Sequence, residues 1–162
     1  MTIDGKPLRK PDGHAVETSS DGIALSPDGT TLYWQALTGK TLFSIDRLSL
    51  HQNITPAELE NRIKTIGENG PADGLLISRR YPERMYITSI ENDIVLVRNL
   101  TDGKVVPLQP SPTYRIRWPD TLAEGPDGSI YVTASHIQDS AFFKPDAPIS
   151  LPTELWRFKI TA

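Results

Sequence analysis

A block that opens on Asp, continues through small and apolar residues and closes on a Tyr-bearing run occurs three times along the chain. It reads Asp21-Gly-Ile-Ala-Leu-Ser-Pro-Asp-Gly29 before Leu32-Tyr33-Trp34, then Asp73-Gly-Leu-Leu-Ile-Ser78 before Met85-Tyr86-Ile87-Thr88, then Asp120-Thr-Leu-Ala-Glu-Gly-Pro-Asp-Gly128 before Ile130-Tyr131-Val132-Thr133. The opening aspartates are 52 (21 to 73) and 47 (73 to 120) residues apart, a period that falls among propeller blades and far above helical or leucine-rich repeats. Each innermost run is nearly all apolar, so neighbouring units must cover both of its faces and no unit buries it alone.

Within a unit the pattern is that of an antiparallel blade. In the first, Ile23, Leu25, Leu32, Tyr33, Leu42, Phe43 and Ile45 are the β-prone apolar positions, with turns at Pro27-Asp28-Gly29 and Thr38-Gly39-Lys40. In the second, strands are predicted near Gly74–Ser78, Arg84–Thr88, Ile94–Arg98 and Lys104–Leu108, and in the third at Thr121–Glu124, Ser129–Ala134 and Glu154–Ile160. The fold class is therefore all-β, with about three four-stranded antiparallel blades at about 50 residues each, where a closed propeller needs at least four. The chain reads as the C-terminal half of a larger propeller, with residues 1–20 an outer strand of a preceding or partner blade.

One helix interrupts the β pattern. Thr55-Pro56-Ala57-Glu58 is a capping box with Pro at the first helical position, and Leu59, Ile63 and Ile66 follow at helical spacing. A helix is expected from about Pro56 to Lys64, in the crossover between blades and over one mouth of the ring.

A net charge of −3 with scattered Lys and Arg offers no basic stripe for a nucleic acid. No apolar run approaches the roughly 18 residues of a membrane helix. There is no Cys, and three scattered His make a zinc site a poor fit. Neither a Gly-x-Ser-x-Gly elbow nor a phosphate-cradling Gly-x-x-x-x-Gly-Lys run is present. No signal peptide opens the chain.

Inner strands of a propeller start at one mouth of its channel, so Asp21, Asp73 and Asp120 are expected to converge there. Three carboxylates suit a hard cation such as Ca²⁺, which takes several oxygen ligands. The competing expectation is structural, each Asp accepting backbone N–H bonds at its own turn. Glu124, on the same strand face as Asp120, is a further channel carboxylate on this pattern. His136 opens the longest irregular segment, Ser135–Pro152, a candidate lid over the mouth; it is either a ligand-contacting or general-base residue, or a surface His bonded within its loop.

The segments Asp21 to Gly29, Leu32-Tyr-Trp-Gln-Ala-Leu-Thr-Gly39, Ala72 to Ser78, Met85 to Ser89 and Arg117-Trp-Pro-Asp-Thr-Leu-Ala-Glu-Gly-Pro-Asp-Gly128 resemble the major royal jelly and insect yellow protein family in its bacterial branch. That resemblance implies a six-bladed propeller of which this chain is the last three blades, and a secreted or periplasmic location. It also implies a small aromatic or amine ligand in a pocket lined by Trp118, Thr121, Tyr114 and Arg117. The acidic strand starts resemble, in addition, calcium-dependent lactonase propellers. The expected function is small-molecule binding at the channel mouth; the alternatives are a calcium-dependent lactonase-like hydrolase or tautomerase, and an interaction platform. The third unit lacks a fourth strand that His14–Thr18 could donate, so either a second copy completes a six-bladed ring as a homodimer or a missing N-terminal half does.

Overall fold

The Pro-Asp-Gly turns reverse the chain where the sequence places them, and for a shared reason. Asp28 Oδ1 accepts from the Ser26 hydroxyl at 2.5 Å and from the Thr30 amide at 3.1 Å, while Gly29 takes the left-handed φ of 72° that a side chain disfavours. Asp127 repeats the arrangement, accepting from the Ser129 amide and hydroxyl, with Gly128 at φ 79°. The strands on either side then pair in antiparallel register, Leu25 with Leu32 and Glu124 with Ile130.

The computed structural model describes residues 1–108, 115–146 and 153–160. A two-residue hairpin pair, β1 (Thr2–Ile3) and β2 (Lys6–Pro7), opens the chain. The first blade is a meander of β3 (Ser20–Leu25), β4 (Thr31–Ala36), β5 (Thr41–Asp46) and β6 (Lys64–Glu68), with helix α1 (Pro56–Glu60) between its last two strands. The second is β7 (Leu75–Ile77), β8 (Arg84–Ser89), β9 (Ile94–Asn99) and β10 (Val105–Pro107). The third contains β11 (Pro119–Glu124), β12 (Ile130–Ala134) and β13 (Glu154–Phe158), three strands among the described residues. No helix among them is long and apolar enough to cross a membrane.

Alternation along each strand sends side chains to the two neighbouring blades. Ala24 and Leu42 of the first blade pack with Leu75, Ile77, Met85 and Ile87 of the second, with Tyr33 and Ile66 at the margin. Tyr86 and Val95, on the second blade's other face, pack with Ile116, Ile130, Val132 and Phe158 of the third. The hydrophobic core therefore lies between blades. A polar bridge reinforces the first interface: Gln35 donates to the Gly70 carbonyl and accepts from Asn69, whose side-chain oxygen accepts from buried Arg98, which also reaches the carbonyls of Glu68 and Gly103.

Three expectations change. Helix α1 ends at Glu60 and lies inside the first blade, with no buried residue of its own. Lys64–Glu68, expected partly as helix, is instead the fourth strand, because pairing Thr65 with Phe43 and Glu68 with Thr41 satisfies its backbone on the free edge of β5. Residues His14–Thr18 form no strand: an isolated bridge joins Arg9 to Ala15, and the Thr18 amide and carbonyl bond the Thr38 hydroxyl of the same chain's first blade.

Candidate site at the strand starts

The inner strands of the second and third blades are each held at their start by a hydroxyl of the next strand. The Thr88 side chain accepts from the amides of Asp73 and Gly74 at 3.0 and 2.8 Å, and Thr133 accepts from the Thr121 amide at 3.1 Å. The glycines after the first two aspartates let neighbouring blades approach: a Cβ on Gly22 would stand 2.8 Å from the Asp73 carbonyl oxygen, and one on Gly74 closer still to that of Asp120. Backbone thus stacks on backbone, with the Asp73 carbonyl against Gly22 and the Asp120 carbonyl against Gly74.

Asp73 is half-buried at the start of the second blade. Burial is the main cause that pushes its carboxyl up to about 6; the Trp118 indole opposes the rise by donating to Oδ2 at 2.7 Å, and the charges of Asp120 and Asp21 add to it. Asp120 accepts at Oδ1 from the Thr121 hydroxyl at 2.8 Å, and Asp21 is exposed. Trp118 is buried and adopts a left-handed φ of 51°, which aims its ring back at the second blade; it packs with Ile3, Leu37 and Ile90 under the N-terminal hairpin.

The donor chemistry here is all oxygen, which suits a hard cation. Among the described residues, however, no group of three or more His, Cys, Asp or Glu side chains converges closely enough to hold a metal ion. The aspartates are electrostatic neighbours, and one oxygen of the central carboxylate is engaged by an indole.

Arg117 enters a carboxylate cage, meeting Asp4 at 2.9 Å, Asp93 at 3.0 Å and Asp139 at 3.1 Å. Burial works against its charge, yet these hydrogen bonds more than offset it and raise its pKa. Lys144 also pairs with Asp139. His136 is buried, not on the surface, and its backbone is left-handed at φ 54°. Neither of its ring nitrogens, nor either side-chain polar atom of buried Gln138, has a partner among the described residues. Tyr114 and residues 147–152 of the expected lid segment lie outside the described residues. Glu124 lies at the far end of β11, accepting from the Ser78 hydroxyl at 2.7 Å and the Arg79 amide at 2.6 Å; it fastens the third blade to the second.

The structure therefore brings Trp118 onto Asp73, with Asp21, Asp120 and Thr121 around them, and turns Arg117 elsewhere. The cage around Arg117 was not readable from sequence, since its partners lie 113, 24 and 22 residues away. The indole on Asp73 had one signal: a Trp immediately before the third unit's opening Pro-Asp.

No protein-family model matches this sequence, and no curated protein does. Solved structures match in fold. A gluconolactonase from Xanthomonas campestris superposes with a TM-score of 0.64 at 16% identity, over 88% of this chain and 44% of that one. A calcium-binding protein, regucalcin from Agrobacterium tumefaciens, gives 0.51 at 20% identity over 79% and 43%. Hydrazine synthase from Kuenenia stuttgartiensis gives 0.53 at 19% over 83% and 33%. The fold is thus that of β-propeller blades, and the chain spans less than half the length of each of these structures. None of these three structures is a royal jelly or yellow protein.

Proposed function

We propose that this chain supplies the acidic strand starts of a cation-dependent, lactonase-like hydrolase site at the mouth of a propeller channel. The observation that carries the reading is the half-buried Asp73 carboxylate with Asp21 and Asp120 as charged neighbours, an arrangement that a bound cation would relieve. Two of the structural neighbours, a gluconolactonase and the calcium-binding regucalcin, support it by fold. Asp73 and Asp120 would hold the ion, with Asp21 at the exposed rim and further oxygens from blades beyond these three. A bound divalent cation would polarise an ester carbonyl. The chain's own groups orient and confine: Trp118 fixes one oxygen of Asp73, and Thr121 fixes one of Asp120. Calcium titration followed by thermal unfolding tests the reading. The wild type should gain several degrees while Asp73→Asn gains none; an unchanged midpoint for the wild type in millimolar calcium overturns it.

The second reading is a small-molecule binder without a metal, with Trp118, Thr121 and His136 as its lining and Arg117 as support. It is favoured by the unpartnered ring nitrogens of buried His136 and the amide of Gln138. A calcium-insensitive chain whose tryptophan emission responds to aromatic amines, and loses that response in His136→Ala, would replace the first reading with this one.

A further inference from the structure

The repeat shows what each blade face is built to meet. Leu75, at the third position of the second unit, is 8% exposed because the first blade covers it at Gly22, and Ile77 two residues on is 5% exposed. Their counterparts in the first unit, Ile23 and Leu25, are 61% and 45% exposed. Register places Ile23, Trp34 and Phe43 in one row across the first blade, with Leu25 and Leu32 beside them, and the Trp34 and Phe43 rings stack at 5.8 Å. This face is continuous in kind with the two interfaces already formed, displaced by one blade.

The opposite end of the stack is different. The residue that faces the following blade is Gly22 in the first unit and Gly74 in the second, and both lie against the next aspartate's carbonyl. In the third unit it is Thr121, whose amide is held by Thr133 as that of Gly74 is held by Thr88, so the backbone runs the same way and a Cβ projects where the next carbonyl would sit. Around it the outer face carries Ala123, Tyr131, Thr133, Leu155 and Arg157.

We propose that the open face of the first blade is the seat of a further propeller blade bearing glycine at the Gly22 position, and that the third blade of a second copy of this chain does not fill it. A two-copy ring would drive Thr121 of one copy into the Asp21 carbonyl of the other, the contact that Gly22 and Gly74 exist to permit.

Light scattering on three variants tests this. The wild type should have the mass of one chain, Thr121→Gly should associate into pairs about tenfold or more tightly, as relief of an overpacked contact allows, and Ile23→Glu added to Thr121→Gly should abolish the pairs. A wild-type pair that is lost in Ile23→Glu and no tighter in Thr121→Gly overturns the proposal, and so does a Thr121→Gly chain that associates no better than wild type. The positive arm inserts a second copy of residues 73–119 immediately before Asp21, so that the inserted Gly74 meets the Asp21 carbonyl. A hydrophobic dye that binds the wild type and not Ile23→Glu should no longer bind this folded, longer chain; undiminished binding counts against the proposal.

Discussion

Replacing Asp73 by Asn keeps an acceptor for the Trp118 indole while removing a charge that burial, Asp120 and Asp21 all disfavour. The sign follows from linkage. A carboxyl with an ordinary value of about 3.9 when unfolded and about 6 when folded binds its proton more tightly in the native state, so its favourable contribution is complete below pH 4 and is lost as pH rises through 6. Asp73→Asn should therefore unfold at a higher urea concentration than wild type at pH 7 and at the same concentration at pH 4. Urea midpoints at the two pH values check this, and a variant weaker at pH 7 would mean that the charged carboxylate is itself a stabilising group. The residue scale is also where the sequence revealed least. The Asp-opened strand starts marked which carboxylates are electrostatic neighbours, but no spacing could show that Trp118 would bond Asp73 from a left-handed backbone, or that Arg117 one position earlier would bond Asp93 instead.

At the scale of elements, blade-to-blade contact rests on glycine. Gly74→Ala would push a Cβ into the Asp120 carbonyl, and since the backbone fixes the Cβ and the atom it meets is a backbone oxygen the blades must part; a cost of about 1–3 kcal/mol is expected, with Gly22→Ala costing less because its clearance is 2.8 Å and therefore larger. Chemical denaturation of the two variants should rank them in that order. The strands themselves were legible because alternation, Pro-Asp-Gly turns and the Tyr-bearing second strands agree locally, and register follows from the turns. Helix α1 was legible at its start, where Thr55 and Glu58 form the reciprocal cap, and misread at its end. Ile63 and Ile66 continue the helical spacing, yet the vacant edge of β5 offers residues 64–68 a full ladder, and Ile66 gains a place in the first inter-blade core. Tertiary pairing outweighs local periodicity there. The Gln35–Asn69–Arg98 bridge was invisible for a related reason: its members are 34 and 29 residues apart and meet only once two blades have docked.

For the molecule as a whole, the Arg117 cage joins parts that the strand ladders leave separate. Asp4 belongs to the N-terminal hairpin, Asp93 to the turn between β8 and β9, and Asp139 to the helical turn that follows β12 within the third blade. Thr2 adds a second tie from the hairpin to the same β8–β9 turn through Glu91. The members of the cage are not equivalent, and their burial decides the consequence of losing each. The Asp4 side chain is 48% exposed, so Asp4→Ala removes a solvent-screened partner and should cost about 1 kcal/mol or less. The Asp93 side chain is 7% exposed, and without Arg117 its charge would be left buried against an exposed Arg115 at 3.9 Å; Arg117→Met should therefore cost about 3–5 kcal/mol. Adding Asp93→Asn to Arg117→Met removes the stranded charge and should recover a large part of that loss, which a purely steric role for Arg117 would not allow. Denaturant midpoints for the three variants, read beside the rate at which a protease clips the hairpin, separate the two accounts. Faster clipping in Asp4→Ala with little change in global stability would place the hairpin as a locally opening unit, whereas clipping that tracks the global midpoint would make it part of the same cooperative structure as the blades.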